Sequence, residues 1–197
     1  SALKPSVSAV DAFPLPREGR RLRVVVIAPA LNSQGLGASL MPLLERIDRS
    51  RFELVVVSSD LASVLSTHLK NRGAELLPLE TGSNVISRMQ TLMPDVIVFA
   101  AESGKSDELV YELSRERLAP LQIWYDGLHE SPGVPAIDLF LAGELCSPIS
   151  KSVRAPRLAL LPGVGPLRKN DLNSSAGDDL TREAVGLGEE KLVLVSF

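Results

Sequence analysis

Cysteine is nearly missing from this sequence. Cys146 is the only one among 197 residues, so no disulfide can form within the chain, which fits a reducing compartment. Aromatic residues make up 4%, too few for the stacking platforms that grip single-stranded nucleic acid. Basic charge is not in excess either. With 21 Lys and Arg against 24 Asp and Glu, the net charge is -3, and no basic stripe marks a nucleic-acid footprint. No apolar run approaches the roughly 18 to 20 residues that cross a bilayer, and the N-terminus lacks the apolar core of a secretory signal. These absences lead us to expect a soluble, cytoplasmic protein with neither nucleic acid nor membrane as a partner.

Several chemistries fall away for similar reasons. The two histidines, His68 and His129, lie far apart, and with one cysteine they offer no metal-ligand spacing. No G-x-S-x-G elbow is present, which argues against an α/β-hydrolase. Gly35 and Gly37 form a G-x-G, but the third glycine of a dinucleotide fingerprint and the lysine of a P-loop are missing. Neither an internal repeat nor a low-complexity tract occurs.

What the chain does contain is alternation. Hydrophobic residues make up 45% and charged residues 23%, the balance of an ordinary globular protein. Residues 24–28, "VVVIA", form a β-branched run of the kind expected of a strand buried on both faces. A loop, "PALNSQGLG", follows, then "ASLMPLLERID" with Leu40, Leu43, Leu44 and Ile47 at helical spacing. That spacing predicts a helix over 38–48 with Pro42 in its first turn. Further strands are expected at 52–59, 74–80, 95–100, 118–125, 136–143 and 157–163. Helices are expected at 61–73, 84–93 and 106–116. Strands alternating with helices specify an α/β domain, a Rossmann-like, doubly wound and mostly parallel sheet. Residues 1–21 read as a linker or arm, residues 22–165 as the Rossmann-like domain, and residues 166–197 as a linker and the start of a truncated second domain. "KLVLVSF" at 191–197 is expected to be the first strand of that second domain, in a protein longer than this chain.

Ligands of open α/β sheets bind beyond the carboxyl ends of the strands, which singles out three loops. The first holds Gly35 and Gly37, whose backbone amides suit an anion or a sugar, or simply a tight turn. The second, "AAESGKSDE", holds Ser103. Its Lys105 and Glu108 read equally well as a solvated helix start capped by Ser106 or Asp107. The third, in "LQIWYDGLHESPG", places Asp126, His129 and Glu130 within five residues of one another beyond a buried strand. A histidine titrates near neutrality, and a neighbouring carboxylate can hold it as a base. His68 reads as structural.

The stretch "APLQIWYDGLHESPGVPAIDLFLAGELCSP", residues 119–148, resembles the catalytic region of the O-linked N-acetylglucosamine transferases and the Spindly-like and bacterial protein glycosyltransferases related to them. Pro120, Gln122, Gly127, Gly133, Asp138, Ser147 and Pro148 fall on that family's pattern without a gap, and Ser131 stands where the family has Thr. "RVVVIA", "DRSRFELVVVS", "RLALLPG" and "REAVGLGEEKLVLVSF" extend the resemblance over residues 23–197.

The resemblance implies the N-terminal, acceptor-side domain of a GT-B glycosyltransferase. Such an enzyme moves a sugar, N-acetylglucosamine, from a UDP-sugar to a protein or peptide side chain, inverting and without a metal or other cofactor. The donor domain would hold most of the UDP-sugar. Gln122, Asp126, Gly127, Ser131 and Gly133 would shape the cleft with Gly35, Gly37 and Ser103, and His129 or Glu130 would take the proton. The departures are specific. The family's His-Pro pair is absent from "SQGLGAS", its Asn-Gly-Tyr-Thr stands here as "FAAESG", and its Tyr-Pro-Gly has become Leu128, His129 and Glu130. Two readings follow: His129 has taken over the base chemistry, or this domain is a catalytically degenerate half that binds a protein partner. A sugar-nucleotide epimerase of the two-domain type is a third reading.

Overall fold

The computed structural model of the chain describes residues 19–29, 31, 35–80, 83–101, 105–126, 134–143 and 157–161. The arm before Gly19, the region after Leu161 with its expected strand, and the whole 127–133 loop therefore lie outside the described residues. Every strand and helix expected between residues 22 and 161 is present. In chain order they are β1 (Leu22–Ile27), α1 (Gly35–Arg46), β2 (Phe52–Ser58), α2 (Val64–Asn71), β3 (Glu75–Pro78), α3 (Ser83–Leu92), β4 (Val96–Ala101), α4 (Lys105–Ser114), β5 (Leu121–Asp126), β6 (Leu139–Gly143) and β7 (Arg157–Leu161).

The strands form one seven-stranded sheet in the order β3, β2, β1, β4, β5, β6, β7, and every pairing is parallel. Val25 lies between Val55 of β2 and Ile97 of β4 in register. This is a Rossmann-like α/β fold, consistent with the N-terminal domain of a GT-B protein. The chain winds outward from β1 to β3, then returns to start β4 on the other side of β1. That reversal is the topological switch point.

Period-two alternation divides the core into two layers. Val25, Ile27, Val55, Val57, Ile97 and Phe99 pack with Val85 and Met89 of α3 and with Val110 and Leu113 of α4. Val24, Val26, Leu54 and Val56 pack with Leu40, Met41 and Leu44 of α1 and Leu69 of α2. Helices on both faces explain why residues 24–28 and 54–57 read as unbroken apolar runs. Burying each such side chain contributes about 1.5–3 kcal/mol. Trp124 joins β5 to its neighbours, with its ring 4.8 Å from Tyr111 of α4 and 6.4 Å from Phe99. Among the described residues no helix is long and apolar enough to cross a membrane.

Several boundaries differ from the expected ones. α2 begins at Val64 because Ser63 caps it: its extended backbone lets Oγ accept from the Ser66 N–H at 3.1 Å. The helix stops before Gly73, whose φ of +82° suits glycine. α4 already begins at Lys105, so Ser106 and Asp107 lie within its first turn rather than at its cap. α1 starts at Gly35, earlier than expected, which moves Pro42 from the first turn into the helix interior. β5 and β6 are both shorter at their amino ends than the expected 118–125 and 136–143, and one side chain causes this.

That side chain is Gln122, which is fully buried. Its Oε1 accepts from the N–H groups of Leu118 (2.6 Å) and Ala119 (3.2 Å), and its Nε2 donates to the carbonyls of Glu116 and Ala136, both at 3.0 Å. Two donors on one side and two acceptors on the other satisfy the whole amide. Backbone groups of 116–119 and of Ala136 are thereby taken up by a side chain. Asp138 completes the clamp: its carboxylate accepts from the Gln122 N–H at 2.8 Å and pairs with Arg117 at 2.5 and 3.0 Å. A second amino-edge anchor is Asp95, nearly buried, which receives both guanidinium nitrogens of Arg20 and the Arg23 N–H.

Candidate functional site at the carboxyl edge of the sheet

Parallel strands end together, so their register decides which loops can meet. Ile27 of β1 is paired with Phe99 of β4, and Ala101 of β4 with Asp126 of β5. β1, β4 and β5 are adjacent, and they flank the switch point. The loops that follow them, residues 28–34, 102–104 and 127–133, therefore leave the same edge side by side. These are the three loops that the sequence singles out, and the topology brings their roots together.

The first loop is held on both sides. Ala28 donates its N–H to the Val57 carbonyl at 3.0 Å. The Pro29 carbonyl accepts from Ser58 Oγ at 3.1 Å and from the Ser59 N–H at 3.0 Å. Leu31 is fully buried. On the far side, Tyr125 of β5, itself fully buried, donates its phenol hydroxyl to the Ser39 carbonyl of α1 at 2.9 Å. The third loop returns through Val134 and Ile137, both buried in the core layer of Trp124. The Ile137 N–H donates to the Val134 carbonyl at 3.1 Å, and the amino-edge clamp fixes Ala136 and Asp138 beyond it.

The expected site residues fall out as follows. Gly35 opens α1, and Gly37, two residues on, is buried. Asp126 is the last residue of β5, beside Ala101. Ser103, Gly127, His129, Glu130, Ser131 and Gly133 lie outside the described residues, in the loops whose roots converge. Gln122 is a correction. It sits at the amino end of β5, four residues from Asp126, about 13 Å at roughly 3.3 Å per residue. All four of its hydrogen-bonding positions go to backbone, so it holds the fold and does not line the cleft. Asp138, another residue of the resembling block, belongs to the same clamp.

His68 is structural, as expected: its Nε2 lies 2.9 Å from Glu45 and ties α2 to α1. Tyr125 was missed by sequence reasoning. The signal was available, because a phenol inside the apolar run "LQIWY" needs a buried partner for its hydroxyl.

Among the described residues, the groups with shifted pKa values lie at the other edge. Asp95 raises the Arg20 guanidinium above its ordinary value by accepting its hydrogen bonds. The Ser50 hydroxyl and N–H hold the Asp48 carboxyl below the usual range. Burial, with Arg72 nearby, lowers Arg49. Among the described residues no cluster of His, Cys, Asp and Glu is placed to hold a metal ion.

A solved structure of a mutant of Thermobaculum terrenum O-GlcNAc transferase superposes on this chain with a TM-score of 0.61 at 22% sequence identity. The match covers 76% of this chain and 29% of that one, so the chain spans under a third of that protein. At this identity the likeness is one of fold. No protein-family model matches the sequence, and none of the curated proteins does.

Proposed function

We propose that this domain is the acceptor side of a glycosyltransferase that moves N-acetylglucosamine from a UDP-sugar to a side-chain hydroxyl of a protein. One observation carries the reading: three loop roots meet at the switch point of a fold shared with part of an O-GlcNAc transferase. In the proposed step the acceptor oxygen attacks the anomeric carbon on the face opposite UDP. The bond from that carbon to UDP breaks, UDP leaves with the electron pair, and the hydroxyl proton passes to His129 or Glu130. The configuration inverts, and no metal takes part. Gly127, Ser131, Gly133 and Asp126 form one wall of the cleft, and Gly35, Gly37 and Ser103 the other. A donor domain holds most of the UDP-sugar, in a cytoplasmic setting.

The alternative is a catalytically degenerate half that binds a protein in the same crevice. It is favoured by the absence of a His-Pro pair around Gly35. Both readings place a protein at the carboxyl edge, and only one of them consumes UDP-sugar. The full-length protein is therefore incubated with UDP-N-acetylglucosamine and a broad set of cytoplasmic proteins, and the acceptors are read by mass spectrometry. The expected result is protein bearing added N-acetylhexosamine, with UDP released in equal amount. Acceptors bound but unmodified, with UDP release no faster than in the protein-free control, would give the role to the binding module.

A further inference from the structure

α1 is one continuous helix with a proline in its interior, close to the candidate site. Pro42 lies inside the helix. It has no N–H to donate to the Ala38 carbonyl, and its ring crowds that carbonyl, so the ladder joining the first turns to the rest is weakened there. The segment ahead of the proline, Gly35–Met41, begins with two glycines that bring no side chain to the core. Leu40 and Met41 seat it in the apolar layer that also contains Leu31 and Tyr125. Tyr125 then reaches across from β5 and donates to the Ser39 carbonyl at 2.9 Å, next to the carbonyl that Pro42 leaves without its helical donor. The residue after Tyr125 is Asp126, from which the third loop departs.

We infer that Tyr125 is a positioning residue, a latch that holds the hinged first half of α1 against the strand that carries the third loop. It sets the spacing between the start of α1 and the carboxyl end of β5. The hinge is Pro42, and the moving part is the segment that bears Gly35 and Gly37. The mechanical part of this inference stands on geometry alone, while its effect on catalysis rests on the proposed sugar transfer.

The test compares wild type, Tyr125→Phe, and the double variant Tyr125→Phe with Pro42→Ala in the full-length protein. Phenylalanine keeps the buried ring and removes only the hydroxyl, so the fold is retained. Amide exchange at Ser39, Leu40 and Met41 is expected to quicken about tenfold in Tyr125→Phe, the effect of losing one net hydrogen bond. Exchange in β1 and β4 stays unchanged. Restoring an N–H at position 42 should bring the protection back, which a purely packing role for Tyr125 would not do.

The acceptor KM should rise severalfold in Tyr125→Phe while kcat holds within about twofold. Unchanged exchange in that variant overturns the latch. Faster exchange with an unmoved KM, in a protein whose wild type does transfer sugar, overturns its positioning role. If the wild type transfers no sugar, the proposed function fails, and the exchange result alone still decides whether the latch exists.

Discussion

Replacing Gln122 by alanine is expected to destabilise the domain by about 4 kcal/mol, through the unpaired buried groups and the cavity it leaves. The amide it removes satisfies four backbone groups in a site from which solvent is excluded. Orphaning a buried N–H or carbonyl costs about 1–3 kcal/mol, and partial relaxation brings the sum below the simple total. Gln122→Glu is the informative control. It keeps an acceptor for Leu118 and Ala119 but loses the donors to Glu116 and Ala136 and buries a charge, so it should be destabilised as well, and less so at acid pH, where the carboxyl can protonate and donate. Urea unfolding measures both. A lower midpoint at constant slope is the expected result. An unfolding free energy for Gln122→Ala within about 1 kcal/mol of wild type would mean that water or a rearranged backbone replaces the clamp.

His129→Ala is expected to lower sugar transfer by about 10²–10⁴, the usual contribution of a general base, while leaving UDP affinity within about twofold. The prediction follows from the proposed division of labour, in which UDP is held mainly by the donor domain and the proton is taken on the acceptor side. Glu130→Gln is the partner experiment, because the two residues are adjacent on one loop. If Glu130→Gln stops transfer and His129→Ala does not, the carboxylate is the base. A large drop in both, with the acid limb of the residual Glu130→Gln activity moved to lower pH, would assign the carboxylate to holding the imidazolium. Full activity of both variants would remove this loop from the chemistry.

The fold was legible because each element reports its surroundings in its own residues. Residues 24–27 of β1 and 54–57 of β2 are apolar without a break because helices cover both faces, and α1 to α4 show period 3.6 because each covers one face of the sheet. The boundaries were less legible where a long-range partner decides them. Residues 118–120 and 136–138 read as strand, yet Gln122 and Asp138 draw their backbone into a clamp that no periodicity reveals.

Of the candidate site, the roots of the three loops are described, and their position at the carboxyl ends of strands was legible in the sequence. Loops after strands are visible in sequence, and adjacency of β1, β4 and β5 then follows from the parallel, doubly wound order. Gln122 misled because a glutamine in a resembling block looks the same whether it binds a ligand or holds backbone. Only its position at the amino end of β5 separates the two. Two of the residues that carry the resemblance, Gln122 and Asp138, are therefore witnesses to the fold more than to the chemistry. Tyr125, which the resemblance did not single out, sits nearer the crevice than either.

The most direct test of the account is an amide-exchange footprint of the full-length protein with UDP-N-acetylglucosamine, alone and together with an acceptor protein. The account predicts slowed exchange in residues 28–34, 102–104 and 127–133, with residues 116–122 and 134–138 unaltered. Protection centred on the amino-edge clamp, or none in those loops while ligand binds, would contradict it.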